Sequence, residues 1–186
     1  MRKNLGIKTY IYPQPVLIIS TYNEDGSANA MNAAWGMVSD YNQLTLCLSA
    51  SHKTVKNALR DMALVVNIPD VKHVKEADYF GVVSGNDIPN KVEHVGLTTT
   101  KSDFVNAPII NELSLALECE VLKYDTESEL MTVKIMNVSC DENILDSHGK
   151  IDLTKLEVIA FDPANHSYVR LGDKVGNAFK DGLELK

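Results

Sequence analysis

Short β-branched runs and period-two alternation account for most of the apolar positions in the chain. Pro15-Val16-Leu17-Ile18-Ile19-Ser20-Thr21 is such a run, and the turn cluster Asn23-Glu24-Asp25-Gly26 that follows predicts a hairpin. The returning strand is Ser27 to Ala34, built from small or flexible side chains and ending at Trp35-Gly36. Leu44-Thr45-Leu46-Cys47-Leu48-Ser49 alternates like a half-buried strand. From Thr54 the spacing changes: Val55, Ala58, Leu59 and Met62 follow a helical period, predicting a short amphipathic helix. Ala63 to Ile68 reads as a buried strand stopped by Pro69. Val71, Val74, Ala77 and Phe80 to Val83 predict a second helix ending at Ser84-Gly85, with a polar loop from Asn86 to Glu93.

The second half returns to strands. Leu113, Leu115, Leu117, Cys119 and Val121 share one face, and Ser114, Ala116, Glu118 and Glu120 the other. Met131 to Val138 is the expected partner across a turn at Asp125 to Ser128, and Leu156 to Phe161 a further strand before Asp162-Pro163. Many short strands with two inserted helices give a mainly β fold, an antiparallel barrel that hides its edges. At 186 residues one domain, 1–186, holds the whole chain.

Charge and composition narrow the function. The net charge is −7 and the basic residues are scattered, which argues against nucleic acid, since phosphate-backbone binding rests on clustered Lys and Arg. No apolar stretch approaches the roughly twenty residues of a membrane-spanning helix, and the N-terminal residues lack a signal-peptide pattern. Cys47, Cys119 and Cys140 are widely spaced and form no Cys-x-x-Cys pair, so a reducing cytoplasm is the expected compartment. The histidines show no metal spacing, and the glycine-rich dinucleotide fingerprint, the P-loop and the Gly-x-Ser-x-Gly elbow are all absent. Redox chemistry here would come from an organic cofactor.

Three stretches could seat one. Ser49, His52, Lys53 and Thr54 lie where a strand gives way to a helix, and a helix start offers free N–H groups and the positive end of the dipole to a phosphate. The alternative is that Thr54 only caps the helix. Asn29, Ala30, Met31 and Asn32 combine small side chains with amides suited to the edge of a flat ring, and Trp35 could cover its face. Trp35 could equally be a core or interface anchor. Ser84-Gly85 ends a helix, and Lys91 could reach back as a second cation or stay a surface lysine.

In order and spacing these runs resemble the flavin reductase-like family of FMN-binding split barrels, and its flavoredoxin branch in particular. The likeness spans nearly the whole chain: it includes Val66-Asn67-Ile68-Pro69, Ala77-Asp78-Tyr79-Phe80-Gly81, Ala107-Pro108, and Phe161-Asp162-Pro163 with Tyr168. It implies a six-stranded antiparallel Greek-key split barrel, a homodimer, and FMN bound near the subunit interface. By that resemblance Asn29 to Asn32 line the isoalloxazine, Trp35 stacks near it, and Ser49, His52, Lys53, Thr54 and Lys91 hold the phosphate, with Ser84 beside them. Asn57 ranks below Thr54, because this chain has Val55-Lys56 before it where many relatives have Thr-Asn-Ile after the histidine-lysine pair. The implied activity is NAD(P)H-dependent flavin reduction with NADH or NADPH as donor and a small molecule as acceptor, or electron carriage from a redox protein partner. The alternative from a different class is a barrel that has lost the cofactor and serves as a non-catalytic binding module.

Overall fold

The computed structural model describes residues 1–186. The expected hairpin is β2 (Leu17–Tyr22) and β3 (Ala28–Ala33), joined by a turn in which Gly26 takes a φ of 83°. A two-residue strand, β1 (Gln14–Pro15), precedes it. The chain then forms β4 (Gly36–Asp40), β5 (Gln43–Cys47), α1 (Lys53–Asp61), β6 (Ala63–Ile68) and α2 (Val74–Val82). Next come α3 (Lys91–His94), β7 (Thr99–Lys101), β8 (Pro108–Ile110), β9 (Leu115–Asp125) and β10 (Leu130–Cys140). The last elements are α4 (Leu153–Leu156), β11 (Ile159–Asp162) and β12 (Ser167–Arg170).

Seven strands form one antiparallel sheet in the order β3-β2-β6-β9-β10-β5-β4. Its two edges are consecutive in sequence, so the sheet curls until Ala34-Trp35 carries the chain from one edge to the other. Gly36 marks that crossing: a Cβ there would come within 2.7 Å of Leu17 Cδ1 on β2 and of Leu46 Cδ2 on β5. This is the mainly β split barrel expected from the sequence, with β4 as an additional edge strand.

The barrel interior is apolar, filled by Leu17, Ile19, Leu46, Leu64, Met131 and Val133 among others. A second layer forms outside it. Ile18 and Ala30 face outward into a cluster with Ala77 and Phe80 of α2, Val92 of α3, and Ile110 and Leu113. Strand β2 is therefore buried on both sides, which is why its sequence reads as a continuous apolar run. Burying Ile18 and Ile19 on opposite faces contributes roughly 1.5–3 kcal/mol each. Asn67 pins this layer down: its Nδ2 donates to Ile18 O and Ser20 Oγ, and its Oδ1 accepts from Ile110 N, 3.0 Å away.

Two strand expectations change. Leu156 and Glu157 belong to α4 and its C-cap, where Glu157 adopts a left-handed φ of 49°, so the strand starts only at Ile159. Strand β9 also starts later than its alternation predicts, at Leu115 rather than Leu113, and its polar face is interior in the middle while Glu120 is exposed. Ala116 and Glu118 are buried beneath the β7–β8 hairpin, where Glu118 accepts from Ser102 Oγ, Asn137 Nδ2 and Ser139 Oγ. The buried carboxylate persists because hydrogen bonds replace its lost hydration.

Candidate functional site

Helix α1 starts directly after the loop from β5, with His52 as N-cap in an extended conformation. His52 makes no side-chain cap, and Thr54 is not the cap either. Thr54 sits inside the first turn, buried, with its Oγ1 accepting from Asn29 Nδ2 at 2.8 Å. The first-turn N–H groups therefore receive no side-chain acceptor and remain available to a ligand.

Behind them lies a polar layer that fixes the rotation of α1. Asn57, one turn further on, donates to Asn23 Oδ1 at 2.9 Å and to Thr21 Oγ1 at 3.3 Å, while Asn23 Nδ2 reaches Pro89 O. Asn57 thus stands in the helix-to-barrel seam rather than at the surface. Val55 and Ala58 pack into the barrel from the same helix.

The uncapped start of α1 opens onto a cleft of about 230 Å³, walled by Met31 and Asn32 of β3, His52, Lys53 and Thr54, and the segment Phe80 to Gly85 with Lys91. Lys91 is only 2% exposed. Its Nζ donates to Val83 O at 2.7 Å and Phe80 O at 3.3 Å, the free carbonyls at the end of α2, and lies 5.9 Å from the Phe80 ring centroid. Burial pulls its ammonium from the ordinary 10.5 down to about 8. An anion in the cleft would oppose that shift, and a third ammonium proton remains for it.

A second cavity of about 290 Å³ adjoins the first and shares Asn32, Gly81 and Val82 with it. Its far wall comes from the C-terminal hairpin, where Phe161 and Tyr168 pair at 6.1 Å between ring centroids. Tyr168 donates to Asp78 Oδ1 at 2.9 Å and accepts from Asn32 Nδ2 at 3.3 Å. Burial, aided by the Asp78 carboxylate, pushes its phenol up to about 12. The two cavities make a bipartite groove, with cations and hydroxyls at one end and aromatic rings at the other.

Of the residues singled out from the sequence, Met31, Asn32, His52, Lys53, Thr54, Ser84 and Lys91 meet in the first cavity. The others lie elsewhere. Ala30 is buried in the outer core, and Asn29 stands one layer behind the cleft, holding Thr54. Ser49 donates to Glu129 Oε1 at 2.8 Å and so ties its loop to the β9–β10 turn. Trp35 is 59% exposed and lines neither cavity, so the core reading fails for it. Sequence reasoning gave no site role to Phe161 and Tyr168, although both stand in the motifs that carried the resemblance. Their distance along the chain from Asn32 left no spacing signal.

The groove can be tested against FMN. Asn29 Oδ1 is buried without a partner, and Gly85 lies so close to it that a Cβ would collide with it. Backbone thus approaches the cavity wall where a side chain would fill it. Two lysines, two hydroxyls and a free helix start suit a phosphate dianion, and the adjoining aromatic cavity suits a flat ring.

A family profile described as "Flavin reductase like domain" matches residues 9–154. The chain belongs to the flavin reductase-like family. Within this family, the flavoredoxin of Desulfovibrio vulgaris (Miyazaki F) is 29% identical, with a TM-score of 0.93 over 98% of this chain and 100% of that one. Flavoredoxin from Methanosarcina acetivorans is 27% identical, with a TM-score of 0.87 over the full length of both. The expected flavoredoxin branch is thereby borne out. An uncharacterised protein of Aquifex aeolicus (strain VF5) is 26% identical over 161 residues, covering 80% of each chain.

Proposed function

We propose that this flavin reductase-like chain is an FMN-binding oxidoreductase that takes hydride from NADH or NADPH and passes electrons to a small acceptor. The observation that supports this most directly is the uncapped start of α1 facing Lys53, Thr54 and the buried Lys91 in one cleft. FMN, when bound, supplies the hydride and electron chemistry, so no protein nucleophile is required.

The chain's own residues bind and orient. Lys53 and Lys91 neutralise the phosphate, and the first-turn N–H groups of α1 donate to it. Thr54 accepts from Asn29, which leaves its O–H proton to point into the cleft. Phe161 and Tyr168 shield the ring end from water, lowering the local dielectric in which charge on the ring is stabilised.

Similarity to two flavoredoxins supports a second reading, an electron carrier reduced by a protein partner. Both readings require FMN. Apo-protein titrated with FMN and then gel-filtered should retain a stoichiometric yellow cofactor, and retention of none would overturn both. Rapid-mixing reduction by NADH or NADPH then separates them: reduction within one turnover time supports the reductase, and reduction only by a redox protein supports the carrier.

The exposed row Trp35, Met37, Val38 and Tyr41 on and beside edge strand β4 supports a homodimer, with Trp35 as an interface anchor. We place the protein in the cytoplasm, with residues 1–186 acting as one domain. All three cysteines are free, and no helix is long and apolar enough to cross a membrane.

A further inference from the structure

The junction of the two cavities carries a hydrogen-bond polarity that can be deduced atom by atom. Asn32 Nδ2 lies 2.9 Å from Ala77 O, a main-chain carbonyl that can only accept. The amide nitrogen must therefore be on that side. The Tyr168 hydroxyl faces a carboxylate oxygen of Asp78, another obligate acceptor, so its proton goes there and its oxygen accepts from Asn32. Both protons of the Asn32 amide are thus used by the protein. Its Oδ1 has no protein partner, and Asn32 lines both cavities.

We propose that Tyr168 and Asp78 are positioning residues that lock Asn32 as a hydrogen-bond acceptor, so that the junction selects a ring edge carrying an N–H. This rests on the flavin reading above, and in FMN the edge with a permanent N–H is the imide. Asn32 sets polarity from the barrel, Asp78 contributes the fixed charge from α2, and Tyr168 couples them from the C-terminal hairpin. The other ionisable groups of the groove, His52, Lys53 and Lys91, line the first cavity and serve the phosphate end.

Accepting from the imide stabilises its protonated form, so ionisation of the bound imide should need a higher pH than it would without Asn32 Oδ1. The experiment follows that ionisation by flavin absorbance in the FMN-loaded protein, as wild type and as Asn32→Leu, Tyr168→Phe and Asp78→Asn. Loss of one hydrogen bond predicts a fall of about one pH unit in Asn32→Leu. Tyr168→Phe and Asp78→Asn should shift it in the same direction by less, because Ala77 O still holds the amide. At neutral pH, wild type should also bind FMN more tightly than its N3-methyl analogue, and this preference should shrink in Asp78→Asn, which adds no space to the cavity.

An unchanged ionisation in Asn32→Leu overturns the acceptor role. A shift in Asn32→Leu with none in Tyr168→Phe or Asp78→Asn overturns the positioning role. Tyr168→Phe removes one hydroxyl from a half-buried residue and keeps the hairpin, so the comparison stands even if Asn32→Leu fails to fold. Wild-type protein that takes up no FMN at all refutes the functional reading itself, and this proposal with it.

Discussion

Asn29 Nδ2 donates to Thr54 Oγ1 across 2.8 Å, and the other end of the same amide rests against Gly85. One buried side chain thereby joins β3, the start of α1 and the end of the α2 segment, the three walls of the cleft. Gly85→Ala would put a methyl group against Asn29 Oδ1, with Lys53 Cβ at 3.3 Å on the other side. The expected cost is about 1–3 kcal/mol of stability. FMN affinity should fall at least about tenfold, since the displaced walls are those of the phosphate end. Thermal unfolding and flavin fluorescence quenching measure the two effects separately.

Lys91 predicts a pH dependence with a definite sign. Its pKa of about 8 in the folded protein lies below the ordinary 10.5, so between those values the unfolded chain binds more protons than the folded one. Apo-protein stability should therefore rise from pH 8 to 10.5 through this residue and be at its lowest contribution below pH 8. Denaturant midpoints of wild type minus those of Lys91→Met across that range isolate the effect. FMN affinity should run the other way, weakening as pH rises through 8, because the phosphate favours the charged ammonium. A flat difference curve in both measurements would contradict this account.

Asn57 is a structural residue by its surroundings. Asn57→Leu leaves Asn23 Oδ1 without its donor in the seam beneath α1, and about 1–3 kcal/mol should be lost. FMN bound per folded molecule should change little at low temperature, unlike the outcome for Thr54→Val, where the loss of affinity should exceed the loss of stability. Urea unfolding and equilibrium titration on the same preparations compare them.

Glu118 holds the β7–β8 hairpin to the barrel. Its carboxylate accepts from Ser102, whose Oγ in turn accepts from Phe104 N and Val105 N. Glu118→Ala should cost about 3 kcal/mol and speed amide exchange over residues 102–107, leaving exchange in β2 and β6 closer to wild type. Uniform acceleration across all strands would show that Glu118 supports the whole barrel instead.

Much of this protein was legible in its residues taken in order. A β-branched run and the turn cluster Asn23 to Gly26 placed the β2–β3 hairpin, while period-two alternation placed β5 and β9, because alternation is imposed by the pleat itself. The shift to helical spacing after His52 located the start of α1, and with it the phosphate end of the groove, since residues adjacent in sequence form that turn. Local chemistry did not reveal direction or depth. From the sequence Asn29 is expected to line the ring and Asn57 ranks below Thr54 for the phosphate, yet both are buried behind the cleft. Glu118 sits on a polar alternation that only a covering hairpin turns into an interior face. The ring end was the least legible part: Asn32, Asp78 and Tyr168 meet because the sheet curls and the C-terminal hairpin folds back over α2. Hydrogen-bond polarity at such a meeting is set by which acceptors face each other, and that is decided by packing between distant segments rather than by the identity of any one residue.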